Sequence, residues 1–201
     1  MKTTLLSSLY ATTLCAALLG PLSVAQASEP APERDQQRFE INFLQTMIDH
    51  HFGAIKMSEL CEGRTVHAEL KEMCDMIIAA QSQEIATMQS WLRDWYGINE
   101  EPTLTRKAQR QVEHLSGLTG EEFEKEYMSM MIEHHSMAAR MAVDCLNQAY
   151  HPEMLDMCSK MLAAQGNEIV QLRLWLMLWY GINDPSDKPH GGGGDRGGRM
   201  R

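Results

Sequence analysis

Residues 47–57, MIDHHFGAIKM, recur as MIEHHSMAARM at residues 131–141, and this repetition decides the fold. A shift of 84 residues places 43–99 on 127–183 without a gap, and 23 of the 57 aligned positions are identical. Chance does not give that agreement, so the body of the chain is an internal duplication. We define 43–99 as repeat one, 127–183 as repeat two and 100–120 as the linker between them.

Each repeat has the residue spacing of a helical hairpin. In both halves of repeat one, the core-type side chains recur three and four residues apart, which is typical of packed helices. Gly63 and Pro152 mark short turns, and Gly97 and Gly181 lie at expected helix ends. Two hairpins supply four helices, so we predict an all-α fold, a four-helix bundle over residues 36–183.

The N-terminus has the pattern of a secretory signal peptide. Lys2 precedes an apolar run over residues 5–19, and Ala27 ends a small-residue cleavage site, so we predict a leader over residues 1–27. The run is too short for a comfortable membrane span. We expect a periplasmic or secreted protein without a membrane span after cleavage. The Gly-rich tail, 184–201, is expected to be disordered.

Composition narrows the classes of partner. The chain is 44% hydrophobic and 22% charged, which is globular, and its net charge of -9 excludes nucleic acid as an expected partner. Hydrolase and phosphate-binding signatures are missing from the sequence.

Four cysteines remain after leader cleavage, and an even number in an exported protein favours disulfides. Metal thiolates are the alternative. If the two cysteines of each hairpin pair, the first histidine of each doublet is within one residue of the level of the glutamate on the facing helix: His50 near Glu84, and His134 near Glu168. The cysteines are Cys61, Cys74, Cys145 and Cys158.

The candidate metal ligands follow one helix face in each repeat. Residues at i, i+3 and i+7 share a face, so Met47, His50 and Met57 form one stripe with His51 on its flank. Imidazole and thioether together suit Cu(I) and, to a lesser degree, Cu(II). The competing interpretation is that methionine fills the core, which is its commonest role. Repeat two presents the same set: Met131, His134, His135 and Met141.

Two glutamates and two further histidines have several interpretations. Glu84 and Glu168 could hydrogen-bond a histidine or a glutamine, orient a ligating imidazole from outside the metal, or bind metal directly. No Glu-x-x-His occurs in the sequence, which argues against a di-iron oxidase. His67 and His151 lie near the turns and could belong to an outer metal site or simply begin a helix.

The combined motifs resemble the family of domain of unknown function 305, which includes CopM-type periplasmic copper-binding proteins. The resemblance rests on Met-x-x-His-His-x-x-Ala-x-x-Met, on Ala-Gln-x-x-Glu-Ile at 80–85 and 164–169, and on Trp-Leu-x-x-Trp-Tyr-Gly at 91–97 and 175–181. It covers roughly residues 36–183. It implies a ferritin-like bundle and copper binding in the cell envelope.

The repeats differ at positions that affect the expected sites. Gly53 corresponds to Met137, which could add a thioether ligand to the second site. Met88 corresponds to Leu172, which could deprive that site of one. The two sites therefore need not be equivalent.

Three functions remain open, in this order of preference. The first is an exported protein that binds Cu(I), or Ag(I), for metal resistance or for delivery to a copper-trafficking protein. The second is a metal-dependent oxidoreductase that uses the His/Glu layer. The third is a structural or partner-binding bundle without metal. No organic cofactor is expected.

Overall fold

A computed structural model describes residues 29–184, and this part of the chain is helical without strands. The all-α prediction is thereby confirmed. The predicted leader and residues 185–201 of the predicted tail lie outside the described residues. No helix between residues 29 and 184 has the length and apolar character needed to cross a membrane. The helices are α1 (Arg34–Ser58), α2 (Ala68–Tyr96), α3 (Arg106–Ser116), α4 (Gly120–Gln148) and α5 (Pro152–Tyr180), and a 3-10 turn covers Glu59–Cys61.

The linker contains α3, a helix that the sequence analysis did not predict. Thr105 caps its first turn, where the Thr105 hydroxyl accepts a hydrogen bond from the Ala108 amide at 3.1 Å. Only Ala108 and Leu115 of this helix are buried. Ala108, Val112 and Leu115 have the i, i+4, i+7 spacing of an amphipathic helix, so the signal for α3 was present in the sequence.

Both hairpins have a glycine at the end of their second helix and a disulfide beside their turn. Gly97 and Gly181 end α2 and α5 with φ of 68°, the left-handed conformation that glycine adopts without strain. Disulfides join the two helices of each hairpin beside its turn, with Cα atoms 6.4 Å and 6.3 Å apart. The pairs are Cys61–Cys74 and Cys145–Cys158.

The two hairpins pack against each other through α1 and α4, and α3 lies against both of these helices. Two apolar clusters fill the core, and each combines opposite ends of the two repeats. The Trp91 cluster contains Met47 and Met88 from repeat one with Ala138 and Met161 from repeat two. The Tyr127 cluster is its reciprocal, because it contains Met57 of repeat one with Met131 of repeat two. The repeats therefore interleave rather than forming separate units.

Candidate metal centre

The first histidines of the two doublets meet between α1 and α4. The rings of His50 and His134 lie with their centroids 3.6 Å apart. The two helices run antiparallel at this point, since Ser58 Oγ and Tyr127 Oη form a buried hydrogen bond of 2.8 Å eight residues further along α1. The sequence placed one stripe in each repeat, whereas the structure brings the leading histidines of both stripes to one place.

The second histidines of the doublets turn away from this pair, each toward the other helix of its own hairpin. His51 Nε2 lies 2.7 Å from Glu84 Oε2, and His135 Nε2 lies 2.8 Å from Glu168 Oε2. This corrects the expectation that His50 and His134 would be level with these glutamates. The register derived from the cysteines is the observed one, but the wrong member of each doublet was assigned to the facing helix.

The correction has a simple physical reason. The sequence treated α1 as a helix with one packed face, and it centred that face on His50. In the structure α1 packs against α2 on one side and against α3 and α4 on another. His51 is consequently fully buried, while His50 faces the second repeat.

Several ring nitrogens of the doublets are buried without a hydrogen-bond partner among the described residues. Both nitrogens of His50 and both of His135 are in this state, as is Nδ1 of His51 and His134, so the 2.8 Å contact of His135 Nε2 with Glu168 lacks hydrogen-bond geometry. Buried polar atoms are nearly always hydrogen-bonded, so a group of orphaned nitrogens in one place calls for an explanation. Glu84 is the partner of His51 Nε2, so the unpartnered nitrogen of that ring is Nδ1.

Burial keeps the His50–His134 pair neutral. Loss of solvation, reinforced by the nearby His51 and His135, lowers the pKa of His50 from 6.5 to about 3. The pKa of His134 is also lowered well below 6.5, again chiefly by burial. A neutral imidazole has a lone pair to give to a metal ion and needs no proton to leave first.

The four predicted methionine ligands lie on the two sides of the core. Met47 is in the Trp91 cluster, with Met141 packed against it. Met57 and Met131 are in the Tyr127 cluster. Between residues 29 and 184, no three His, Cys, Asp or Glu side chains form a group that could hold a metal ion.

The linker helix covers one edge of the histidine pair. A Cβ added at Gly53 would lie 3.1 Å from the Ala108 Cβ and 3.7 Å from His134 Nε2. The missing side chain at Gly53 thus allows α3 to approach α1 beside the ring of His134. Lys107, the neighbour of Ala108, reaches α4, where its ammonium lies 2.7 Å from Glu133 Oε1 and 3.9 Å from Met137 Sδ.

A groove of about 350 Å³ opens between α2 and α5. Glu84 and Trp91 line it from α2, and Glu153 and Met157 line it from α5. The Glu84 side chain is 25% exposed, so the carboxylate that bonds buried His51 also reaches solvent.

His67 and His151 contact neither doublet and instead fasten each hairpin to the other. The His151 latch consists of His151, Glu40, Trp95 and Tyr96. His151 Nδ1 lies 2.6 Å from Glu40 Oε2, and its ring stacks on Trp95 at 3.8 Å. Glu40 also accepts hydrogen bonds from the His151 amide and the Tyr96 hydroxyl. A buried carboxylate with this many donors is well satisfied.

The His67 latch repeats this arrangement with His67, Glu124, Trp179 and Tyr180. His67 Nδ1 lies 2.7 Å from Glu124 Oε2, and its ring stacks on Trp179 at 3.8 Å. Burial alone would raise the pKa of Glu124, but hydrogen bonds from Tyr180 and His67 hold that pKa below its usual value of 4.5. His67 and His151 are also the N-cap residues of α2 and α5.

Sequence reasoning missed Glu40 and Glu124, although a signal was present. The shift of 84 residues that relates the repeats also matches Phe39 and Glu40 with Phe123 and Glu124, just before residues 43 and 127. Glutamate at the same position of two apolar stripes would have marked both as buried charges that need partners.

Comparisons with known proteins identify relatives of this chain. The family model of the domain of unknown function DUF305 matches residues 40–176. The structure of CopM in its Cu(I)-bound form is similar, with a TM-score of 0.64 and 30% identity, over 71% of this chain and 98% of CopM. CopM in an Ag-bound form gives a TM-score of 0.62 with the same identity and coverage.

More distant structures share the fold. A DUF305 fragment from Deinococcus radiodurans is 24% identical, covers 69% of this chain and 95% of its own, and has a TM-score of 0.61. No curated protein matches the chain.

Proposed function

This chain belongs to the DUF305 family, and we propose that it is an exported protein that binds copper as Cu(I) beside the His50–His134 pair. The observation that carries the proposal is the group of buried ring nitrogens without partners at the meeting point of the two doublets. We further propose that the two hairpins form a ferritin-like four-helix bundle, to which α3 is an addition.

The donor set favours a soft monovalent cation. The neutral rings of His50 and His134 supply nitrogen donors, and methionine supplies sulfur that carries no charge and needs no deprotonation. Zinc prefers cysteine, histidine and carboxylate and gains little from methionine. Ag(I) resembles Cu(I) in its preference for soft donors, so it is the natural substitute ion.

The similarity to CopM supports the same conclusion. Structures of CopM have been obtained with Cu(I), with Cu(II) and with Ag. The proposal that Cu(I) is the preferred ion of this chain rests on the methionines, because thioether is a poor ligand for the harder Cu(II).

Each predicted residue has a proposed role. His50 and His134 bind the ion, while His51 and His135 are further nitrogen donors whose orientation is fixed by Glu84 and Glu168. The methionines add sulfur from the two sides of the core: Met47, Met57, Met131 and Met141.

The proposed location is the periplasm or the exterior of the cell, after removal of residues 1–27. Both disulfides support an oxidising compartment. The role there would be metal resistance, through storage of Cu(I) or its delivery to a copper-trafficking partner.

The test is an anaerobic titration of the mature protein with Cu(I) against a colorimetric chelator, with the disulfides intact. We expect tight binding that Zn(II) does not displace. The double variant His50→Ala/His134→Ala should lose it. His114→Ala is the matched control, since His114 lies on α3 with half of its side chain exposed. Unchanged affinity in the double variant would contradict the site assignment.

A second candidate, a metal-dependent oxidoreductase, is favoured by one observation. The pairs His51–Glu84 and His135–Glu168 repeat the same contact in both hairpins, as carboxylate-histidine metal enzymes do. Oxygen consumption or turnover of Cu(I) to Cu(II) by the metal-loaded protein would favour it. If neither metal binding nor turnover occurs, and Met-to-Leu changes are silent, the bundle is structural.

A further inference from the structure

One lysine ammonium lies between a thioether and a carboxylate at the edge of the histidine pair. Lys107 Nζ is 2.7 Å from Glu133 Oε1 and 3.9 Å from Met137 Sδ. The side chains of Lys107 and Glu133 are 50% and 62% exposed, and Met137 is 38% exposed. The ammonium therefore marks a point on the surface where a monovalent cation is held by one sulfur and one oxygen donor.

This point is connected to the buried pair along α4. Met137 lies one turn from both Glu133 and His134, so its side chain is on the part of α4 next to the exposed carboxylate and the buried ring. Ala108, the residue after Lys107, is the α3 residue that approaches Gly53 beside His134 Nε2. The lysine, the methionine and the edge of the histidine pair are thus neighbours.

Repeat one has no such site, which makes the arrangement a property of repeat two alone. The residue that corresponds to Glu133 is Asp49, and both of its oxygens are engaged by Thr103, at 2.7 Å from the amide and 2.9 Å from the hydroxyl. The residue that corresponds to Met137 is Gly53, which has no donor. The linker therefore contacts both positions, with the neutral Thr103 on Asp49 in repeat one and the cationic Lys107 on Glu133 and Met137 in repeat two.

We propose that Met137 and Glu133 form an outer loading site for a soft monovalent cation, Cu(I) or Ag(I), and that Lys107 occupies this site until the ion displaces it. The inference rests on the proposed function, because it describes how the ion would reach His50 and His134. The exchange involves no redox step. One monovalent cation replaces another beside Glu133, the ammonium moves into solvent, and the ion then passes from Met137 to His134.

The experiment measures the rate of uptake of Ag(I) and of acetonitrile-stabilised Cu(I) by the full mature protein in stopped flow. Met137→Leu should slow uptake by about tenfold, while the final stoichiometry stays that of the wild type. Met76→Leu is the matched control, since Met76 is exposed on α2 away from the histidines. It should leave the rate unchanged.

A second pair of variants tests the displacement. Lys107→Gln should accelerate uptake severalfold, because the competing ammonium is gone. Lys71→Gln removes a paired surface lysine elsewhere and controls for the general gain in attraction between an acidic protein and a cation. Equal acceleration in both variants would overturn the role of Lys107.

Methionine methyl NMR with substoichiometric Ag(I) identifies the first ligand directly. We expect the Met137 methyl resonance to shift at the lowest Ag(I) additions, while the Met76 resonance does not move. A wild-type rate in Met137→Leu, together with an unshifted Met137 methyl, would overturn the loading site and leave the proposed function intact. Failure of the wild type to bind either ion would instead overturn the proposed function.

Discussion

The residues that form the His/Glu contacts are identical in the two repeats, whereas the exposed residues on α2 and α5 differ. His50 and His134, and likewise Glu84 and Glu168, are identical and make matching contacts. On the outer face of α5, Val170, Leu174, Met177 and Leu178 are exposed, whereas α2 has Ala86, Ser90, Arg93 and Asp94 at the corresponding positions. The fold therefore constrains the residues that touch the other repeat and leaves the solvent-facing ones free to differ.

The two latches show the same duplication with different burial. His151 is fully buried and its Nε2 is 3.0 Å from the Glu29 carbonyl oxygen, so the N-terminal segment covers it. The His67 side chain is 31% exposed. The same four side-chain types thus form a sealed junction at one end of the molecule and a partly open junction at the other.

The largest expected effect is the loss of the sealed latch. His151→Ala leaves the Glu40 carboxylate buried without its imidazole, so we expect the unfolding free energy to fall by about 3 kcal/mol. His67→Ala is the matched variant and should cost only about 1 kcal/mol, because solvent reaches its latch. Urea unfolding of both variants measures the difference. Equal losses would show that burial does not distinguish the latches.

The next effect concerns the pH dependence of the partly open latch. Because the pKa of Glu124 is held below 4.5 in the folded protein, this carboxylate contributes stability above that pH, and the contribution is lost as the pH falls through the folded-state pKa. Glu124→Gln should cost about 2 kcal/mol at neutral pH.

The difference between wild type and Glu124→Gln should shrink as the pH falls below about 4.5, since the wild type loses its charged hydrogen bonds there. Urea unfolding at a series of pH values measures it. A difference that stays constant down to pH about 3 would contradict the assigned pKa direction.

A smaller effect compares two helical glycines. Gly166→Ala on α5 meets nothing within 4 Å and should stabilise the protein by about 0.5–1 kcal/mol through helix propensity. Gly53→Ala gains the same propensity, but its Cβ would lie 3.1 Å from that of Ala108. We expect Gly53→Ala to be less stable than Gly166→Ala by about 1 kcal/mol or more in urea unfolding. Equal stabilisation would mean that α3 moves away from the new Cβ without lowering the unfolding free energy.

The smallest effect is expected on the outer face of α5. Val170→Ala and Leu174→Ser introduce the residues that repeat one has at these positions. Because both side chains are largely exposed, the double variant should change the unfolding free energy by less than about 1 kcal/mol. A loss of several kcal/mol would show that this face is covered in solution, for instance by association that size-exclusion chromatography would detect.

The spacing of residues along the chain was sufficient to predict much of the fold. The spacing of apolar residues predicted the paired helices, and the glycines predicted the ends of α2 and α5. The cysteine positions predicted the level at which the helices of a hairpin meet. All of these depend on residues close together in the chain, where periodicity determines which side chains share a face.

The candidate site was predicted in its composition but not in its arrangement. The motif identified both doublets and both glutamates, yet it assigned the glutamates to His50 and His134 rather than to His51 and His135. The linker helix was not predicted, although Ala108, Val112 and Leu115 have helical spacing and Thr105 offers a cap.

The sequence by itself determined the duplication, the helical hairpins and the set of metal-binding side-chain types, because each of these is encoded in spacing along one segment. Only the tertiary structure decided that His50 meets His134, that His67 and His151 fasten the opposite hairpin, and that α3 covers one edge of the pair. These contacts depend on how α1 and α4 cross, and that crossing is set by packing between segments far apart in the chain.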